Sequence, residues 1–209
     1  MPFDVWVTFF VAWFFLSIAP GPDNIFVLMQ SIIYGKRDGL WVVAGLCTGL
    51  IIHVTLIAIG VTAVIRASDI AFTTIKMLGA LYLVYLAILA WKAPVTSVTV
   101  SKDCALEQKK ASALSLWRRG AFMNLTNPKV IIFFLAFFPQ FLTEGYSVSG
   151  QMLVMGVTIL VTCALVFGGI AVGAEYVRSL ISSPKIQQWI NRIGSVIFVM
   201  LAGNVLLTS

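Results

Sequence analysis

Two short segments of the chain carry residue types that could do chemistry at a place where little polar chemistry is expected. One is Pro20-Gly21-Pro22-Asp23-Asn24; the other is Asn124-Leu125-Thr126-Asn127-Pro128-Lys129. Each is followed at once by apolar sequence, Ile25-Phe26-Val27-Leu28 in the first case and residues 130–138 in the second. A proline removes a backbone donor and clashes with the carbonyl four residues back, so Pro20 and Pro22 interrupt a helix at Leu16 and Ile18. Gly21 between them adds backbone freedom. In the second segment Asn127 suits an N-cap and Pro128 the first helical position, so a half-helix is expected to begin there. Its start would present about half a positive charge to whatever lies before it. Each break also holds an ionisable group, Asp23 or Lys129, in or near apolar sequence. At a bilayer centre such a group costs roughly 3 kcal/mol and therefore faces a cavity or a partner.

The elements that must position these residues follow from composition. Of 209 residues, 60% are hydrophobic and 11% charged, with a mean hydropathy of +0.99. Soluble domains carry about a quarter charged residues, and a globule this small cannot hide so much apolar surface. The chain is read as an integral membrane protein. Three cysteines, Cys47, Cys104 and Cys163, are too few and too widely spaced for a disulfide-stapled secreted fold. The net charge of +6 does not gather on one face, which argues against a nucleic-acid partner.

A helix needs about 20 apolar residues to cross the hydrocarbon core. Residues 5–22 continuing through 25–33, then 40–65, 70–91, 120–143, 145–174 and 186–207, give six spans. The loops after spans one, three and five hold ten Lys and Arg residues, from Lys36 and Arg37 to Arg178 and Lys185, against Arg66, with or without Lys76, on the other side. This bias puts the odd loops in the cytoplasm and both termini outside. Residues 1–4 contain no Lys or Arg to serve as the basic region of a signal peptide. Trp6, Trp41, Trp91, Trp117 and Trp189 suit the interfacial belt, and Trp13 does not. Lys76 and Arg192 are expected to snorkel or pair near span ends.

The hydrophilic stretch 92–119 divides the chain into a first half, 1–91, and a second, 120–209, within one membrane domain. Leu106, Ala113, Leu114 and Trp117 could form one face of a short interfacial helix there. With three spans each, the halves must have opposite orientation, so a relationship between them would be an inverted repeat. Gly79 followed by Leu86-Ala87 matches Gly194 followed by Leu201-Ala202. The expected fold is thus an all-α membrane protein of six transmembrane helices in two inverted three-helix repeats, with helices one and four broken. The breaks could be kinks that help the helices pack. Their occurrence in the leading span of each half points instead to a transporter's binding site.

Around these breaks the sequence resembles a known family. Pro20-Gly21-Pro22-Asp23-Asn24, Gly35, Gly39, Ala44-Gly45, Gly49, Gly79-Ala80-Leu81-Tyr82-Leu83, and Asn127-Pro128-Lys129 with Phe133-Phe134 and Pro139-Gln140-Phe141 resemble the LysE/RhtB family of bacterial amino-acid exporters. The similarity runs from span one to span six, with the two break motifs in family order about 105 residues apart. The resemblance implies six helices and proton-driven export of amino acids or close derivatives across the inner membrane. Ile51-Ile52-His53 and the adjoining glycines resemble the homoserine/threonine branch.

An amino acid is a zwitterion and needs partners for both charges. Asp23 is the candidate for the ammonium group and the Asn127–Lys129 helix start for the carboxylate. Asn24 and Asn127 would add neutral hydrogen bonds, and carbonyls freed by Pro20 and Pro22 would accept from the ammonium. A structural Asp23–Lys129 ion pair locking the halves together is the competing reading. For proton coupling the candidates are Asp23 and His53, with Glu175 placed as an interfacial residue. Gly45 and Gly49 have a spacing that allows close helix packing. One histidine leaves no HExxH or Ser-His-Asp set, and no CxxC is present, so an enzyme is not expected. No cofactor is called for. Efflux of another small solute or a metal ion remains open, with Cys47 and Cys163 short of the usual three or four ligands, as does a channel. A homo-oligomer is left open.

Overall fold

The computed structural model describes residues 1–19, 21–67, 69–93, 111–174, 176–177 and 183–208. Pro20, Cys104, Leu106, Glu175 and Arg178 lie outside the described residues, as do the side chains of Arg66 and Lys76. The described chain is helical almost throughout and contains no strand. In chain order the helices are α1 (Phe3–Ile18), α2 (Pro22–Tyr34), α3 (Lys36–Ala67), α4 (Asp69–Lys92), α5 (Ala113–Leu125), α6 (Pro128–Ile132), α7 (Val148–Val172) and α8 (Pro184–Thr208). After α6 the chain continues through a wide π turn, Phe133–Phe137, and a tight 3₁₀ turn, Phe138–Phe141. Pro139 accounts for this change of pitch, because it can give no amide to the carbonyl of Leu135 and crowds it.

Among the described residues, helix runs through each of the six apolar stretches. By length and composition α3 and α7 are long and apolar enough to cross a membrane, each with a mean hydropathy of 2.4 over its apolar part. Two more candidates are bent pairs. One joins α1 to α2 at 55°, the other joins α5 to the segment Pro128–Phe141 at 52°. Both expected breaks are therefore present at the expected motifs. Large apolar side chains stand exposed along the outer faces, including Leu56, Ile59, Leu153 and Leu165, a surface suited to lipid rather than water.

Local chemistry fixes the ends. Ser112 caps α5 by accepting from the amide of Ser115 at 3.2 Å, and Ser147 caps α7 through Gly150 at 3.3 Å. Gly35, at φ +97°, makes the corner between α2 and α3, a conformation that disfavours a side chain. Because α5 begins at Ala113, Ala113, Leu114 and Trp117 belong to the first limb of the second broken pair rather than to a separate interfacial helix. Trp117 instead hydrogen-bonds Thr48 on α3 at 3.1 Å.

The bundle is centred on α3, which packs along α5 and α7, while α4 packs on α8 and α1 on α7. Phe9, Trp13, Phe133, Phe134, Phe138 and Phe141 form an aromatic nest between the first helix and the π and 3₁₀ turns. Trp13, the tryptophan that did not fit an interfacial belt, is a core residue: its ring is buried and its indole donates to the Ile159 carbonyl at 3.3 Å. Arg192 lies over the Trp91 ring, 5.6 Å from its centroid, near the joint end of α8 and α4. Across that same pair Ser195 donates to the Ala87 carbonyl at 2.8 Å. The buried residues Gly79, Ala80, Leu83, Leu86 and Ala87 on α4 recur in identical spacing as Gly194, Ser195, Phe198, Leu201 and Ala202 on α8.

Backbone contact between α3 and α5 depends on missing side chains. A methyl group at Gly45 would collide with the Trp117 carbonyl and the Ala121 amide, and one at Gly120 with the Val42 carbonyl. At Gly49 it would lie 2.6 Å from Asn124 Oδ1. The expected close approach at Gly45 and Gly49 is thus made, with Gly120 as its counterpart. Since the obstructing atoms at Gly45 are backbone, they cannot turn aside. Gly45→Ala is expected to destabilise the protein by about 1–3 kcal/mol, read as a lowered Tm of the purified protein, whereas Gly60→Ala, with open space around it, is expected to leave Tm within a degree or two of the wild type.

Candidate functional site

The two breaks meet. Gly21 enters α2 in extended conformation and Pro22 opens the helix, which turns the next two side chains, Asp23 and Asn24, into the protein. Across from them Asn127 caps α6, its side chain accepting from the Lys129 amide at 3.0 Å, with Pro128 at the first position. This is the cap the sequence implies. Asn127 then uses its other end to donate to Asp23 Oδ2 at 3.0 Å, so one side chain ties the second break to the first.

Lys129 reaches back across the same gap. Its ammonium donates to the carbonyls of Leu16 at 2.7 Å and Ala19 at 3.2 Å. These groups sit at the end of α1, where the break leaves carbonyls without helical partners and the helix dipole is negative. Asn24 serves the same end by donating to the Ser17 carbonyl at 2.8 Å. Among the described residues Asp23 and Lys129 make no direct ion pair; Asn127 bonds the Asp23 carboxylate and the Lys129 backbone amide.

The side chains enclose a cavity of about 30 Å³, lined by Ser17, Gly21, Asp23, Asn24, Asn124, Asn127 and Lys129 on its polar side and by Trp13, Leu16, Leu50, Val130 and Phe167 on its apolar side. That is room for about two water molecules and much less than an amino acid occupies. Asp23, Asn24, Asn124 and Asn127 are all at most 6% exposed. A carboxylate, an ammonium group and three amides in so small a space can bind a dipolar molecule. As it stands the cavity has no room for one.

Of the residues singled out in the sequence, Gly21, Asp23, Asn24, Asn127 and Lys129 line this cavity. Pro22 and Pro128 face outward and act through the backbone; Pro20 is outside the described residues. His53 is one layer behind. Its Nε2 lies 3.3 Å from the Asn124 carbonyl oxygen, and its ring stacks on Phe134 at 5.3 Å. Cys47 on α3 and Cys163 on α7, far apart in sequence, have their sulfurs 3.6 Å apart. Among the described residues no cluster of three or more His, Cys, Asp or Glu is placed to hold a metal ion. The polar lining residues that the sequence does not single out are Ser17 and Asn124. Asn124 was visible inside the second motif, but nothing in the string tells which of its two asparagines turns inward, and both do.

Comparison with known proteins bears on the whole of this arrangement. The LysE type translocator family matches residues 14–209, a span that contains both breaks. The chain belongs to the LysE family. Among this LysE-type translocator's relatives is the "Homoserine/homoserine lactone efflux protein" of Salmonella typhi, 34% identical over 96% of this chain and 95% of that protein. A membrane protein of Vibrio cholerae is 35% identical over 95% of both chains. The "Leucine efflux protein" of Enterobacter sp. is 29% identical over 93% of this chain and 92% of its own. No solved structure matches the LysE-type chain.

Proposed function

We propose that this protein exports amino acids or close derivatives across the bacterial inner membrane in exchange for protons, using the chamber between its two broken helices. The observation that carries the reading is the placing of Asp23 and Lys129, opposite charges from the two breaks, on one small buried cavity. Membership of a translocator family and the efflux names of its relatives support it. A homoserine- or threonine-like substrate is favoured by the better match to the homoserine-named relative. Lys129 would release the carbonyls of α1 and receive the substrate carboxylate, while Asp23 receives the ammonium.

Proton coupling in this account needs no separate machinery. A proton and an ammonium group compete for the Asp23 carboxylate, so the site carries one or the other. His53, reached through Asn124, is the second candidate for a proton on the path. Each charge moved down a 100 mV potential supplies roughly 2.3 kcal/mol.

Six spans in two inverted repeats are part of the proposal. Some contacts support it: α3 lies on α7 and α4 on α8, pairs that such an exchange would leave in place, and α3 meets α5 as α7 meets α1. The matched burial of α4 and α8, and the meeting of Cys47 with Cys163, are what a two-fold axis between the halves would produce. The lysine and arginine bias puts both termini in the periplasm.

The test is transport by purified protein in proteoliposomes loaded with homoserine. Efflux is expected to change lumenal pH, to accelerate when an inward proton gradient is imposed, and to be competed by threonine or leucine. Homoserine flux that is indifferent to the proton gradient would overturn the antiport, and no flux of any amino acid would overturn the exporter.

A further inference from the structure

Within the cavity two buried oxygens accept no hydrogen bond among the described residues, Asp23 Oδ1 and Asn124 Oδ1. Three other polar side chains there are already engaged. Asn24 donates to Ser17, Asn127 bridges Asp23 and the Lys129 amide, and the Lys129 ammonium holds α1. A buried acceptor without a donor is costly, and here two lie on one lining at 5% and 3% exposure. Ser17 adds a third acceptor. Its hydroxyl proton goes to the Trp13 carbonyl at 2.8 Å, which leaves its oxygen lone pairs available on the same lining.

A set of unmet acceptors of this kind selects its ligand. It does not suit a carboxylate or a phosphate, which bring acceptors of their own. It suits a compact group with three donors, and a primary ammonium has three. We propose that Asp23 Oδ1, Asn124 Oδ1 and Ser17 Oγ are the seat of the substrate's ammonium group, which makes Asn124 and Ser17 binding residues. This rests on the amino-acid export reading and assigns that site's polarity: ammonium toward Ser17 and Asn124, carboxylate toward Lys129. It also explains how Gly49 contributes, since a side chain there would push Asn124 off the cavity. Any transported molecule must then carry a primary amine, whatever its side chain.

The test compares homoserine with its 2-hydroxy counterpart, in which a hydroxyl replaces the ammonium, in proteoliposomes containing wild type, Asn124→Ala or Ser17→Ala. Wild type is expected to prefer homoserine strongly. Asn124→Ala is expected to raise KM for homoserine roughly 10- to 100-fold with little change in kcat, and to narrow the preference over the hydroxy acid. Ser17→Ala is expected to do the same by roughly 3- to 10-fold, and it carries the test should Asn124→Ala fail to insert or to survive purification. Asn124→Asp, which keeps an acceptor, is expected to recover part of the affinity. An equal loss for both compounds, or a loss in kcat alone, would make Asn124 a structural residue and overturn the seat. Wild-type protein that moves no amino acid would overturn the exporter reading beneath it.

Discussion

Replacing Asp23 by asparagine is expected to abolish export while the protein still reaches the membrane. The substitution is nearly isosteric, and the new amide oxygen can still accept from Asn127, which now approaches the carboxylate at 3.0 Å. What disappears is the charge. A buried charged partner is worth about 3–5 kcal/mol when removed from one side only, so uptake of an ammonium into the cavity should weaken by a factor of 100 or more. Insertion should not suffer, because an ionised group at depth costs roughly 3 kcal/mol that the amide does not. The check is export from cells expressing the variant, with the membrane fraction quantified alongside. Wild-type export by Asp23→Asn would remove the carboxylate from the mechanism.

Lys129→Met carries the second large effect, and it acts on two properties at once. Lys129 is the donor that satisfies the Leu16 and Ala19 carbonyls at the broken end of α1. Charge-assisted hydrogen bonds contribute about 1.5–3 kcal/mol, so the variant should unfold at a lower temperature than wild type. It should also lose export by a factor of 100 or more, because no cation remains to meet the substrate carboxylate. Lys129→Arg separates the two effects. Its guanidinium still donates to carbonyls and should restore most of the Tm, yet its fixed planar fork fits poorly in about 30 Å³, so export should stay well below wild type. Measurement of both properties on both variants checks the account; full export by Lys129→Met would contradict it.

The parts of this molecule that follow from a rule of sequence were legible before any coordinates. Proline geometry located both breaks, and asparagine followed by proline announced the cap at Asn127 and the start of α6. Long apolar runs gave the helices, and the cost of charge at depth picked out Asp23 and Lys129. What escaped depends on partners that every residue possesses. Lys129 pairs with backbone carbonyls, which have no letter in a sequence, so an ion pair with Asp23 was the natural alternative. His53 likewise meets the carbonyl of Asn124. Trp13 looked misplaced only because one-dimensional position cannot separate an interfacial indole from one that finds a carbonyl on α7. The closeness of Cys47 to Cys163 is a property of how α3 lies against α7, and apolar sequence of near-uniform character carries little information about which faces meet.

Equilibrium binding to purified protein tests the central claim, that one chamber between the two breaks holds both charges of an amino acid. Titration of wild type with homoserine should give saturable binding, lost at least 100-fold in both Asp23→Asn and Lys129→Met and weakened in step for the deaminated and the decarboxylated analogues. Unchanged affinity in either variant would place the amino acid elsewhere and contradict the account.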